Sequence, residues 1–254
     1  MTIYKRDKIK KLMNCQWRDG VFFSRWLRSQ GYSASLLESY RKGGWLESLC
    51  PGAMVIPGIR PTCAALLSCY NGQMGTSYRV SADTALALSG SVHFVPLGGR
   101  RMMVSYPGGH LPKCFSLGGY DREFKFFSTK VFQRVETWNY EIDGWPVCAS
   151  SRELAIMECI LLAPDQYSYM DVYYLFEMLG DLRPDVIQEL LEHCTSMRVR
   201  RVFLYMAKKR SPLWLSQLDV SRISLGAGTY QLCEGGMYIP EYKITLPREL
   251  IEYE

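Results

Sequence analysis

The segment that most constrains the fold covers residues 21–57, VFFSRWLRSQGYSASLLESYRKGGWLESLCPGAMVIP. It predicts two short amphipathic helices, which a tight turn at Gly31 separates because glycine enters the left-handed conformation without strain. Two apolar runs, Trp45 to Leu49 and Ala53 to Pro57, follow on either side of a Pro-Gly turn and predict a hairpin. Helix, turn, helix, strand and strand is the order of a winged helix-turn-helix, which is a DNA-binding shape.

On the first helix, Ser24 is the expected N-cap. Trp26 and Leu27 are expected to face the core, while Arg25 and Arg28 face solvent.

The second helix has two candidate N-caps, Ser33 and Ser35, and Ser35 with Glu38 fits a capping box. Its apolar residues repeat at the spacing of one helical face: Leu36, Leu37 and Tyr40. The opposite face is small, polar and partly basic, as suits a helix that lies against base edges: Ala34, Ser35, Glu38, Ser39, Arg41 and Lys42. The predicted DNA-contacting residues are Ser24, Arg25, Arg28, Ser33, Ser35, Ser39, Arg41 and Lys42.

The alternative is a small packed unit without any role on DNA, and the charge distribution argues against it. Residues 1–60 contain 11 Lys and Arg against 4 Asp and Glu, a net charge of +7. The whole chain carries +5, so the remainder is slightly acidic. Such asymmetry favours binding to a polyanion, because each neutralised phosphate releases counterions.

The rest of the chain alternates between strand-like and helical patterns. Pro61 to Tyr70 and Ser81 to Ser89 predict helices, with Ser81 as a cap, and residues 93–130 predict a sheet with glycine-rich turns. Four helical runs follow residue 150, the first capped by Ser150 or Ser151, and short strands end the chain. The predicted fold class is α+β: an N-terminal winged helix-turn-helix in residues 1–60, followed by a mixed α/β C-terminal domain in residues 61–254.

Neither the N-terminus nor any later stretch has the apolar run of a signal peptide or a membrane span, so we expect a cytoplasmic protein without a membrane partner. The nine cysteines are odd in number and scattered, and the three histidines are isolated. We therefore expect reduced core thiols, no metal site and no cofactor.

Several stretches, in order along nearly the whole chain, carry a family resemblance: WLRSQGYSASLLESYRKGGWLE, PGAMVIPG, SADTALALSG, LPKCF, SSRELAIME, RPDVIQELLEHC, RVRRVFLYMA, GGMYIP and YKITLPREL. The sequence resembles the AbiEi antitoxins of bacterial type IV toxin-antitoxin systems. The resemblance implies a winged helix that binds inverted repeats in its own promoter and represses transcription. It also implies a C-terminal antitoxin domain that counters a cognate nucleotidyltransferase toxin of the AbiEii type, without a stable complex.

Two departures from the family pattern are Thr229 and Tyr230, where basic residues are usual, and Met54, where an aromatic residue is common.

Since a single winged helix reads one half-site, we expect a monomer or weak dimer that binds DNA cooperatively.

A second basic run contains no acid and could contact a polyanion; its alternative is a solvated helix face with cations at its C-terminal end. The run comprises Arg198, Arg200, Arg201, Lys208, Lys209 and Arg210.

Two further hypotheses remain open. Asp121, Glu123 and Lys125 could hold a divalent cation in a nucleic-acid enzyme. Alternating charge is also what a half-exposed strand shows, so we expect no catalytic residue. The other hypothesis is a winged-helix regulator whose C-terminal domain senses a ligand and which has no toxin partner.

Overall fold

The computed structural model describes residues 3–90 and 101–253. Its helices are α1 Ile3–Met13, α2 Ser24–Ser29, α3 Ala34–Lys42, α4 Cys63–Met74, α5 Ala82–Leu88, α6 Arg152–Leu162, α7 Tyr169–Met178, α8 Pro184–Glu192, α9 Met197–Arg210 and α10 Arg248–Glu252. Its strands are β1 Phe22–Phe23, β2 Glu47–Cys50, β3 Ala53–Val55, β4 Arg79–Val80, β5 Arg101–Ser105, β6 Glu123–Phe127, β7 Thr137–Ile142, β8 Trp145–Ser150, β9 Tyr230–Gln231, β10 Met237–Ile239 and β11 Ile244–Leu246.

The described chain divides into two compact units, and the α+β class is confirmed. The first unit contains Met1–Arg79, Arg100–Phe127 and Asn139–Cys148. The second contains Val80–Gly99, Ser128–Trp138 and Ala149–Glu254. No helix within residues 3–90 and 101–253 is long and apolar enough to cross a membrane.

The winged helix-turn-helix is present in the first unit. Its sheet has the order β1-β3-β2 with antiparallel neighbours, in which Phe22 faces Met54 and Glu47 faces Val55. Gly31 has φ +81° and Gly52 has φ +87°, so both predicted turns use the left-handed region. The amphipathic α1 was not predicted; Ile9 on this helix packs into the core of the motif.

Two predicted helix caps are corrected by the structure. Ser24 is the first residue of α2 rather than its cap, because its N–H pairs with the Gly52 carbonyl at 2.9 Å and continues the sheet. Ser33, not Ser35, caps α3: its hydroxyl accepts from the Leu36 N–H at 3.2 Å. Ser35 therefore lies inside the helix and the predicted capping box does not form.

Helix α4 supplies the missing partners of strand β1. The Gln73 amide donates to the Val21 carbonyl at 2.6 Å and accepts from the Phe23 N–H at 2.9 Å, all three groups being buried. Gly72 lies so close to the Trp17 ring that an added Cβ would come within 2.4 Å of it. The predicted boundary between residues 60 and 61 falls inside this unit.

The predicted strands of residues 93–130 are present as β5 and β6, which pair in parallel from Arg101–Glu123 to Ser105–Phe127. His93 and the glycine pair at 98–99 lie outside the described residues. The hairpin between β7 and β8, which turns at Asp143 and Gly144 with positive φ at both, was not predicted.

The second unit is built around α6, in which every residue from Glu153 to Ile160 is buried. Ser151 caps α6 by accepting from the Leu154 N–H at 3.3 Å, which confirms one of the two candidates. The predicted cap Ser81 makes no such bond to α5. Instead the buried Glu158 accepts from the Ala82 N–H at 3.0 Å. Strands β10, β11 and β9 form a separate small sheet in that order.

A buried ion pair joins α6 to the start of α8. Glu153 is fully buried, and Arg183 donates to it from its guanidinium at 3.0 and 3.2 Å and from its backbone N–H at 3.1 Å. Burial by itself would raise the pKa of Glu153, but the hydrogen bonds from Arg183 outweigh it and the net shift is downward. The pair therefore stabilises the unit while Glu153 is ionised.

We expect Arg183→Ala to lower the free energy of unfolding by about 3 kcal/mol at neutral pH, since it leaves a buried carboxylate unpaired. Arg222→Ala is the matched control. It removes an arginine whose side chain is 61% exposed and pairs with Glu192 at 2.9 Å, so the expected loss is roughly 0.5 kcal/mol. Denaturant unfolding measures both losses.

The pH dependence follows from the sign of the shift. Because the folded-state pKa of Glu153 lies below its ordinary value of 4.5, its contribution is fully present above that value and is lost as pH falls through the folded-state pKa. The cost of Arg183→Ala should shrink accordingly in acid. Equal costs for the two variants at neutral pH would contradict the role of this pair.

Candidate nucleic-acid interface

A groove of about 550 Å³ lies between the start of α2, the exposed face of α3 and the wing formed by β2 and β3. The helix supplies one wall because its apolar residues Leu36, Leu37 and Tyr40 are buried, as predicted, and turn its polar face outward. The lining residues are Ser24, Arg28, Ala34, Leu37, Glu38, Arg41, Ser48, Cys50, Pro51, Gly52, Ala53 and Met54. The structure therefore brings together the three elements that a winged helix presents to DNA.

The predicted contact residues fall into two groups by their surroundings. The exposed members are Arg25, Arg28, Ser33, Ser35, Arg41 and Lys42, and the half-buried members are Ser24 and Ser39. The Ser33 hydroxyl is already engaged, because it accepts from the Leu36 N–H and lies 3.1 Å from the Ser35 hydroxyl. Ser33 thus positions the start of α3.

Glu38 is a feature of this face that the predicted contact set left out. Its carboxylate lies 3.0 Å from the Arg41 guanidinium and 3.8 Å from the Lys42 ammonium. Both pairs are solvent-exposed, so each stabilises α3 by well under 1 kcal/mol. Arg41 and Lys42 can therefore exchange Glu38 for a phosphate at little cost.

Lys8 illustrates a cation of the N-terminal region that serves the fold. Its ammonium donates to the Gly31 carbonyl at the turn between α2 and α3 and lies 5.1 Å from the centre of the Tyr32 ring. The Tyr32 hydroxyl in turn donates to the Lys8 carbonyl at 3.0 Å. These contacts tie α1 to the helix-turn-helix.

The second basic run is corrected in part, because two of its arginines are buried. Arg201 is fully buried on α9 and donates to the carbonyls of Leu225, Gly226, Gly228 and Lys243, while its guanidinium stacks 4.9 Å from the Tyr230 ring. Its partners in the described part of the chain are carbonyls and a ring rather than carboxylates. Arg201 thus holds the 225–228 loop.

Arg200 is also buried, and donates to the carbonyls of Ser224 at 2.7 Å and Glu192 at 2.9 Å. Neither arginine belongs to a solvated face, and neither is accessible to a polyanion. Arg198 is half-buried and donates to the Leu161 carbonyl. Lys209 is half-buried and donates to the carbonyls of Ile251 and Tyr253. Lys208, which pairs with Glu241 at 2.6 Å, and Arg210 are exposed.

The three residues that could hold a divalent cation in a nucleic-acid enzyme make separate structural contacts. Asp121 accepts from the Cys63 N–H at 2.7 Å and so satisfies the first turn of α4. Glu123 pairs with Lys125 at 2.6 Å on β6. Among the described residues, no group of three or more His, Cys, Asp or Glu side chains is arranged to hold a metal ion.

All nine cysteines are free thiols. Burial raises the pKa of Cys63, Cys69 and Cys114 to about 12, so they stay protonated at neutral pH, as expected for core thiols.

Comparison with known proteins places these observations in a family. A family model described as a transcriptional regulator, AbiEi antitoxin of a type IV toxin-antitoxin system, matches residues 103–247. A second model, described as the N-terminal domain of the AbiEi antitoxin transcriptional regulator, matches residues 5–97. No curated protein matches the sequence.

Among solved structures, the crystal structure of the RV2827C protein from Mycobacterium tuberculosis is similar, with a TM-score of 0.57 and 12% identity. The match covers 96% of this chain and 91% of that chain, so the likeness in fold extends over nearly the full length of both. Together, the two family models cover most of the sequence. The chain belongs to the AbiEi family of antitoxins, the transcriptional regulators of type IV toxin-antitoxin systems.

Proposed function

We propose that the protein represses its own promoter by placing α3 in the major groove and the wing on the neighbouring backbone, in the cytoplasm where that promoter lies. The observation that carries this proposal is the groove between α2, α3 and the wing. Its lining includes the exposed Arg28 and Arg41 together with the small residues Ser24 and Ser48, and Arg25 on α2 is exposed as well. Small polar residues allow the close approach to base edges, and the arginines supply phosphate contacts.

The operator is proposed to contain inverted repeats, because one winged helix reads one half-site and useful affinity needs a second copy. The protein would then be a monomer or weak dimer in solution and bind cooperatively on DNA. Lys208 and Arg210, the exposed members of the basic run on α9, are proposed to add flanking polyanion contacts.

As an antitoxin, the protein is proposed to counter a cognate nucleotidyltransferase toxin without a stable complex, through the residues after the winged helix. Family membership supports this role, since one family model covers residues 103–247. No catalytic step is proposed, because Asp121 and Glu123 are engaged in structural contacts.

A ligand-sensing regulator remains the second candidate, and one observation favours it. A recess of about 630 Å³ lies within residues 111–126 and is lined by Phe115, Tyr120, Phe124 and Phe126 together with Arg122. This volume lies in the range of about 300–1,000 Å³ that small-molecule sites occupy. A change of DNA affinity with a small metabolite, and no toxin gene beside this one, would favour the sensor.

Positioning and reading should separate by substitution in the full-length chain. Arg25→Ala or Arg28→Ala should weaken binding to operator and random duplexes by the same factor, because phosphate contacts are independent of sequence. Ser35→Phe or Ser39→Phe should reduce the ratio of operator to random affinity about tenfold or more, because bulk on α3 keeps base edges out of reach. Fluorescence anisotropy measures both affinities.

Arg18→Ala is the control for the arginine variants, since Arg18 is exposed in the same unit, pairs with Asp19 and lies outside the groove. It should bind like the parent protein. If the serine variants lose operator and random affinity equally, α3 is not the recognition helix.

Repression and toxin neutralisation should also separate. A full-length variant with Arg25→Ala, Arg28→Ala and Arg41→Ala should release a promoter reporter and still rescue cells that express the cognate toxin. The substituted side chains are exposed, so the fold should persist by circular dichroism. A folded variant that loses both activities would show that neutralisation needs DNA binding and would count against the proposed division of labour.

The flanking contact has its own test. Lys208→Gln together with Arg210→Gln should reduce the salt dependence of operator binding, because fewer cations then neutralise phosphates. The fold of the protein should stay unchanged, because both side chains are exposed. Parent-like affinity and salt dependence would remove α9 from the interface.

A further inference from the structure

A second, smaller recess adjoins the candidate DNA-binding groove at the wing turn. It measures about 210 Å³ and shares Ser24, Arg28 and the Cys50–Ala53 turn with the groove. Its remaining walls include Arg25 and a residue far along the chain, Lys113. Three cations therefore surround one recess, and none of the described residues that line it is acidic.

Lys113 is held in place by its buried neighbours. It begins the short 3-10 helix Lys113–Ser116, in which Cys114 and Phe115 are buried and Lys113 is exposed. The Tyr120 hydroxyl donates to the Cys114 carbonyl at 2.7 Å. These buried neighbours thus fix the backbone at Lys113, while the Lys113 side chain is exposed to solvent.

Aromatic contacts link this helix to the winged helix. The Phe115 ring lies 5.1 Å from the Tyr70 ring on α4, and the Tyr70 ring lies 5.2 Å from the Phe23 ring on β1. Lys113 and the wing turn Cys50–Ala53 line the same recess, so Lys113 lies beside the wing turn itself.

We propose that Lys113 is a DNA-contacting residue, which with Arg25 and Arg28 forms a phosphate clamp at the wing turn. The inference rests on the proposed DNA-binding function and extends it to a residue outside the N-terminal motif. The occupant is the sugar-phosphate backbone of the duplex that lies on α3. Charge complementarity identifies it: the described lining has three positive charges and no carboxylate, and a DNA strand presents one negative charge per roughly 3.4 Å.

The clamp would position the wing and would not read sequence, because Lys113 would contact a phosphate, and phosphates are the same whichever base they carry. Its loss should therefore act on all duplexes alike. This behaviour separates Lys113 from the serines of α3.

The test uses the full-length chain with Lys113→Gln, measured on a duplex selected by the parent protein from a randomised pool and on a random duplex. At moderate salt, both affinities should fall by the same factor, several-fold. The slope of log affinity against log salt should become shallower by about 1. Lys130→Gln is the matched control, since it makes the same charge change at an exposed lysine that does not line the recess. Its slope should equal that of the parent.

Lys113→Arg keeps the charge and should retain the parent slope, which guards against a purely structural effect of position 113. If Lys113→Gln keeps the parent slope and affinity, the clamp is overturned while the winged helix stays a DNA-binding site. If the parent protein itself shows no salt-dependent binding to either duplex, the proposed function fails.

Discussion

The first unit depends on the two hydrogen bonds that the Gln73 side chain makes with strand β1. Strand β1 is only two residues long, and its inner edge pairs with β3. The Gln73 amide satisfies the other edge at Val21 and Phe23, where an unpaired buried group would cost about 1–3 kcal/mol. The winged helix therefore needs α4 in order to fold. Through Tyr70 on the same helix, it also fixes the segment that presents Lys113.

The parts of this fold that the sequence could predict are those that depend on neighbours within one turn. Gly31 ends α2, and Leu36, Leu37 and Tyr40 face the core, because glycine conformation and helical periodicity are local properties. The expected caps at Ser24 and Ser81 depend on distant residues. The Ser24 N–H pairs with the Gly52 carbonyl, which places Ser24 inside α2. Ser81 does occupy the N-cap position of α5 but makes no side-chain bond there, and the distant Glu158 carboxylate accepts from the Ala82 N–H.

The sequence pattern of a basic helix does not predict which of its arginines is exposed and which is buried. Arg41 on α3 and Arg201 on α9 both lie in basic helical runs, yet one is exposed beside Glu38 and the other is fully buried under the 225–228 loop. The carbonyls that receive Arg201 lie more than twenty residues away in sequence. One sequence signal was available: the glycine-rich segment GAG offers unencumbered carbonyls, and the Tyr230 that departs from the family pattern stacks on the same guanidinium.

The same distinction changes what the net charge of the N-terminal region means. A charge of +7 in residues 1–60 predicts a polyanion partner, but it does not count phosphate contacts. Lys8 is engaged with the turn at Gly31, and Glu38 offsets part of the charge on α3. Lys113 lines the recess at the wing turn but lies outside residues 1–60, so the charge of that region does not include it. The electrostatics of the proposed DNA binding therefore depend on which cations the fold leaves exposed, because an exposed cation can neutralise a phosphate and release its counterions.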